Sequence, residues 1–244
     1  MKTEITEKWK AELDAAGSRE KAQILSRFFK TGKGEYGEGD IFVGITVPIN
    51  RSISKKYFEA DFNDIAVMLA SPIHEYRLSG LLALVEKYKK QKTMRADIVR
   101  FYLDHTAAIN NWDLVDLSAP YIVGDYWNEN YDATTIDRLS YAESIWDRRI
   151  AIVATLMMIR KGNHSPALML SERYLGDKHP LIHKATGWML RETGKKNREA
   201  LINFLDRFAP SMPRTALRYA IEHLDKETRV HYMKMKPDSK SRLS

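Results

Sequence analysis

Apolar residues recur at spacings of three and four in block after block, as in Leu78, Leu81, Leu82 and Val85 or Ile150, Val153, Leu156 and Met157. Alternating apolar and polar runs are nearly missing, so the fold class expected is all-α. Starts and stops are marked. Ser71-Pro72, His179-Pro180 and Met212-Pro213 suggest proline at a first helical position, where its missing N–H costs nothing, and Gly162, Gly176 and Gly194 follow periodic stretches as stop signals. Most helices are expected to run about 10 to 17 residues.

The starts also repeat. Pro72, Ser144 and Pro180 lie at offsets of 72 and 36, Pro213 follows 33 later, and a missing start near Ala108 falls just ahead of Asn110-Asn111-Trp112. Arg77, Asp113, Arg149 and Lys184 take matching places at steps of 36, 36 and 35. A unit of that length suits a helix pair, so the expectation is a stack of helical hairpins forming a curved solenoid with one concave face. A compact irregular bundle is the alternative. One repeat domain is expected over residues 1–233, with 234–244 (KMKPDSKSRLS) a frayed, disordered basic tail. Thr31 to Asp40 (TGKGEYGEGD) breaks the pattern, and Gly32 to Gly37 formally matches GxGxxG. A dinucleotide site needs a strand before that motif and a helix opening on it; here a helical pattern precedes and an acidic turn follows, so a flexible connecting loop is expected.

Composition narrows the classes. With 244 residues, 44% hydrophobic and 29% charged, the chain reads as an ordinary soluble globular protein. Cysteine is absent, which excludes disulfide scaffolds, cysteine zinc sites, iron-sulfur clusters and thiol catalysis. A cytoplasmic location is expected. The opening MKTEITEKWK lacks the apolar core of a signal peptide, and the longest uncharged apolar run, Ile150 to Ile159, is too short to span a membrane. Residues 1–71 carry no net charge, 72–147 carry −4, and 148–244 carry 20 basic and nine acidic groups, or +11. A C-terminal excess of that kind favours a polyanion, with nucleic acid leading and an acidic membrane or protein competing; the bland reading is solubility.

His179 and His183 have the spacing of a zinc pair, but Pro180 stands where a metalloprotease motif needs glutamate and no third ligand is evident, so helix-start and surface histidines are expected. Tryptophan is more informative. Trp112 and Asp116 stand four apart and Trp188 and Arg191 three apart, so each pair projects an indole and a charge from one side of a helix. Taken singly, either pair also reads as a core tryptophan beside a solvated charge.

Five fragments in order, Arg27-Phe-Phe-Lys30, Gly44-Ile-Thr-Val-Pro48-Ile-Asn-Arg51, Trp112-Asp113-Leu-Val-Asp116, Ile145-Trp146-Asp-Arg-Arg149 and Lys184-Ala-Thr-Gly-Trp188-Met-Leu-Arg191-Glu192, resemble the bacterial AlkD-like DNA glycosylases over most of the chain. That family is built from HEAT-like repeats in a right-handed stack and acts on alkylated purines. The resemblance implies that Asp116 is the catalytic carboxylate, that Trp112 and Trp188 flank the lesion nucleotide, and that Arg149 and Arg191 clamp DNA phosphates. Arg148, Lys184 and Arg51 are expected as further DNA contacts. It departs at Asn111, where the best known members have a second tryptophan, and in the glycine-rich segment.

The implied activity is hydrolysis of the N-glycosidic bond of cationic N3- or N7-alkylated purines in duplex DNA, with the lesion left in the duplex rather than flipped. Alternatives are a non-catalytic reader of damaged or branched DNA and a helical-repeat scaffold that binds a protein. No metal or organic cofactor is called for, no membrane or obligate protein partner is implied, and a monomer associated with the nucleoid is expected.

Overall fold

A computed structural model describes residues 3–235, and its described residues are helical apart from turns and one isolated bridge pairing Ile41 with Ile73. The expected all-α class is therefore what forms. The chain divides into two compact units, residues 1–123 and 124–244. The basic tail expected from residue 234 lies almost wholly outside the described residues; Lys234 itself is the last residue of a helix.

The first unit contains α1 (Glu4–Ala15), α2 (Arg19–Phe28), α3 (Val47–Ser54), α4 (Phe62–Leu69), α5 (His74–Lys90), α6 (Arg95–Asp104) and α7 (Trp112–Asp116). Its axis is α5, in which every residue from His74 to Tyr88 except Glu86 is buried. The stripe of Leu78, Leu81, Leu82 and Val85 is part of that core, and α1, α3, α4, α6 and α7 all pack on α5. Trp9 of α1 is fully buried, stacked on Tyr57 at 4.7 Å, with its indole N–H donated to Ser79 at 2.8 Å.

The second unit contains α8 (Asp125–Trp127), α9 (Ala133–Ser140), α10 (Ile145–Arg160), α11 (Ser165–Arg173), α12 (Pro180–Lys196), α13 (Arg198–Phe208), α14 (Arg214–Ala220) and α15 (Lys226–Lys234). Here α9 packs on α10, α11 on α12, and α12 on both α13 and α14, while α10 touches α12. Such successive helix pairs are the repeat that the sequence spacing predicts: α5, α7, α10, α12 and α14 begin at residues 74, 112, 145, 180 and 214.

Ser144 caps α10, its hydroxyl accepting the N–H groups of Trp146 and Asp147, and Pro180 is the first residue of α12. Other expected boundaries move. Pro72 lies two residues ahead of α5, where its carbonyl accepts the Ile41 N–H, and Pro213 is the residue before α14. Gly194 is not a stop. It lies inside α12 where Leu201 of α13 crosses too closely for a side chain, and α12 ends instead at Asn197, whose side chain caps α13. The repeat register also shifts by one: Arg77 donates to the Ser71 carbonyl and Arg148 to the Ala142 carbonyl, each six residues back, so Arg148 rather than Arg149 is the counterpart of Arg77. No helix among the described residues is long and apolar enough to cross a membrane.

Candidate active site

The helix α7 is little more than one turn, and its start is fixed locally. Asn111 is extended, its amide oxygen accepts the Trp112 N–H at 2.8 Å, and Asp113 accepts the Leu114 N–H at 2.9 Å. Trp112 and Asp116, four residues apart, therefore share a side, and both line one cavity of about 490 Å³. Both are partly exposed there. The other walls are mainly apolar: Phe28 at the end of α2 and Phe29 just after it, Phe42 from the loop that follows, and Val47 and Pro48 from α3.

The aromatic wall is ordered as a stack. Phe29 lies against Trp112 with centroids 5.1 Å apart and against Phe42 at 5.2 Å, and Phe42 stacks on His74 at 4.6 Å. Phe28 meets Trp112 edge-on at 5.8 Å and is 60% exposed, which makes it the rim of the cavity. Such contacts are worth about 0.5–1.5 kcal/mol each beyond burial and hold the indole in one orientation.

Beneath the rings lies a buried ion cluster. His74 Nδ1 is 3.0 Å from Asp40 Oδ2, and its Nε2 is 2.8 Å from Asp113 Oδ2. Arg77 Nη2 is 2.6 Å from Asp40 Oδ1. Burial alone would lower the His74 pKa, but the adjoining Asp113 and Asp40 carboxylates outweigh it and push it up to about 9. Burial likewise opposes ionisation of Asp40, and His74 with Arg77 still brings its carboxyl below the ordinary value. Asp113, His74 and Glu75 also border the cavity, but Asp113 is 4% exposed and gives its carboxyl to His74, whereas Asp116 is the more exposed carboxylate there.

The second unit holds the other residues singled out from sequence. Trp188 is half-buried on α12, and Arg191, one turn on, pairs with Glu222 of the loop after α14 and lies 3.6 Å from Glu192. Lys184 is exposed on the same helix. Arg149, expected as a phosphate clamp, is only 5% exposed and donates to the Leu181 carbonyl at 2.6 Å. Arg148 is committed in the same way, to Asp177 at 2.9 Å and to the carbonyls of Ala142 and Glu143 at 2.7 Å. Both hold the start of α12 or the turn before α10 rather than offering an open guanidinium. In the first unit Arg51 is half-exposed on α3.

His179 caps α12 by accepting the Leu181 N–H, and His183 Nε2 is 2.6 Å from the Asp177 carbonyl. Among the described residues no group of three or more His, Cys, Asp or Glu side chains is placed to hold a metal ion. Sequence patterning missed His74, Asp40 and Phe42 as parts of the site. The one available signal was Phe28-Phe29, inside a fragment read only as a marker of resemblance.

Successive paired helices, one of which carries an aromatic cavity bordered by carboxylates, define a helical-repeat protein. The chain belongs to the family described as DNA alkylation repair enzyme, whose sequence profile matches residues 9–224. Its fold is similar to that of a predicted DNA alkylation repair enzyme from Enterococcus faecalis, with a TM-score of 0.68 and 19% identity, over 86% of this chain and 97% of that one. It is also similar to AlkD2 from Streptococcus mutans, with a TM-score of 0.54 and 14% identity, over 85% and 99% of the two chains. No curated protein sequence matches it. The AlkD-like resemblance in the sequence is thus borne out in family and in fold.

Proposed function

We propose that this protein is a DNA glycosylase that hydrolyses the N-glycosidic bond of cationic N3- or N7-alkylated purines in duplex DNA. The observation that carries the reading is the placement of Trp112 and Asp116 together on an otherwise largely apolar, aromatic-walled cavity. A purine alkylated at N3 or N7 already bears positive charge, so it leaves as a neutral base and needs no general acid. Positive charge then builds on the sugar. A fixed carboxylate beside it stabilises that charge and orients the attacking water, and a low-dielectric wall strengthens the effect. Asp116 is the group suited to this. The Trp112 face adds about 0.5–2 kcal/mol of attraction for a cationic nucleotide and favours charged lesions over neutral ones.

In the second unit, Trp188 is assigned to the lesion nucleotide, and Arg191 and Lys184 to phosphates. Arg191 must trade Glu222 for a phosphate, an exchange of like hydrogen bonds. Arg51 is a further phosphate contact on α3. Arg148 and Arg149 act by holding the helices that carry these groups. The lesion stays in the duplex in this reading, approached through its backbone.

Release of free 7-methylguanine from methylated duplex DNA by stoichiometric protein tests the proposal. Released base is the expected result. Tight binding without release would make the protein a reader of damaged DNA, and neither binding nor release would leave a protein-binding scaffold.

A further inference from the structure

The glycine-rich segment and Asn111 meet in the first unit. Thr31–Asp40 runs as successive turns closed by backbone bonds such as Gly37 to Lys30 and Asp40 to Gly37, both 3.1 Å. The Ile41–Ile73 bridge then draws its last residue inward, and the Asp40 side chain is 4% exposed. Its Oδ2 accepts from His74 at 3.0 Å and from the Asn111 amide at 3.3 Å, while Oδ1 takes Arg77. Asn111 is itself the cap of α7, and Asp113, the other partner of His74, is the second residue of α7.

We propose that Asp40, His74 and Asn111 form a positioning clamp on α7, the helix carrying Trp112 and Asp116, and that the clamp closes only while the His74 ring holds both of its protons. The geometry requires the second proton. Each ring nitrogen faces a carboxylate oxygen at hydrogen-bond distance, and a neutral imidazole has one N–H, so it would turn a lone pair toward one of the two anions. With both protons the cluster balances, Asp40 and Asp113 against His74 and Arg77. The remaining neighbours do not supply that balance. Phe29 and Phe42 cover the ring faces, Glu75 on the same helix is turned to the N–H groups of Val43, Gly44 and Ile45, and Asp116 lies at the cavity. A pKa of about 9 for His74 agrees with this. Loss of the proton releases either the loop at Asp40 or α7 at Asp113.

The clamp stands apart from the proposed reaction; only its effect on excision rests on that reading. Nitrogen NMR of the His74 ring and hydrogen exchange of the α7 amides test it without DNA. In the wild type both ring nitrogens are expected to be protonated at neutral pH and to titrate near pH 9. Asp40→Asn should speed α7 exchange by roughly tenfold or more. In Asp113→Asn the new amide can donate to Nε2, so the ring should titrate lower by about one pH unit or more, and α7 protection should lose its dependence on that titration. On methylated DNA, Asp40→Asn should slow single-turnover release roughly tenfold or more with affinity unchanged. A single ring proton at neutral pH, or α7 protection unchanged in Asp40→Asn, overturns the clamp. Unslowed release in Asp40→Asn overturns its role in positioning. If the wild type releases no base, the glycosylase reading fails while the ring and exchange measurements still decide the clamp.

Discussion

The two units handle charge in opposite ways. Residues 1–123 carry a net +1, and residues 124–244 carry +6. Yet among the described residues the first unit buries Asp64, His74, Glu75, Arg77, Lys87 and Asp113, whereas the buried charged residue of the second is Arg149. A buried charge is tolerated only when an opposite charge or several hydrogen bonds satisfy it, so each one in the first unit fixes the position of something else, as Glu75 does the Val43 to Ile45 backbone and Lys87 the Ala60 carbonyl. Exposed cations carry no such requirement. In the proposed reading the first unit supplies a preorganised site with its aromatic cavity, and the second supplies cations for DNA phosphates.

The comparison can be broken at several points. The largest expected effect is at Gly44, where φ is +88° and a Cβ would collide with the Ser18 carbonyl. Gly44→Ala combines a left-handed backbone with a clash and should lose about 3–5 kcal/mol by denaturant unfolding. Gly162, which ends α10 with φ +93° in open space, should lose only about 1–2 kcal/mol on the same change. Equal losses would mean that the loop in the first unit is not tightly docked.

Next comes pH. The His74 pKa is raised in the folded state, so its contribution is fully present below the unfolded value near 6.5 and is lost as pH rises through about 9. The loss is about 3 kcal/mol at most. Urea titrations from pH 6 to 10 should show it in the wild type and show much less in Asp113→Asn. A smaller change is expected for Arg149→Lys, which replaces a planar fork by a point charge at the Leu181 carbonyl and should cost about 1 kcal/mol of stability without altering the salt dependence of DNA binding. Lys184→Ala should do the reverse: stability unchanged, and the slope of log affinity against log salt reduced by about 0.9. A salt slope reduced by about 0.9 in Arg149→Gln, which removes the charge, would restore that residue as a phosphate contact.

Much of the fold was legible in the sequence because helices announce themselves locally. The apolar period of α5 and α10, the serine cap at Ser144 and the proline opening α12 all act within a turn of the chain. Gly194 misled because a glycine that admits a crossing helix has the same letter as one that ends a helix, and the difference is Leu201, seven residues on. Trp112 with Asp116 was legible because four residues of helix put both on one side. The ion cluster was not, because Asp40, His74 and Asp113 are 34 and 39 residues apart, and no periodicity links a loop carboxylate to a histidine at a helix start. Arg149 and Arg148 could be read as cationic but not as buried or paired, since their partners are main-chain carbonyls and Asp177.

The most direct test of the central claim is single-turnover release of 7-methylguanine by the wild type and by Asp116→Asn at saturating protein, with DNA affinity measured on the same samples. Removing one charge that stabilises the transition state should slow release by about 10²-fold or more while affinity stays the same. Equal rates in the two proteins would contradict the claim that the first unit carries the chemistry through Asp116.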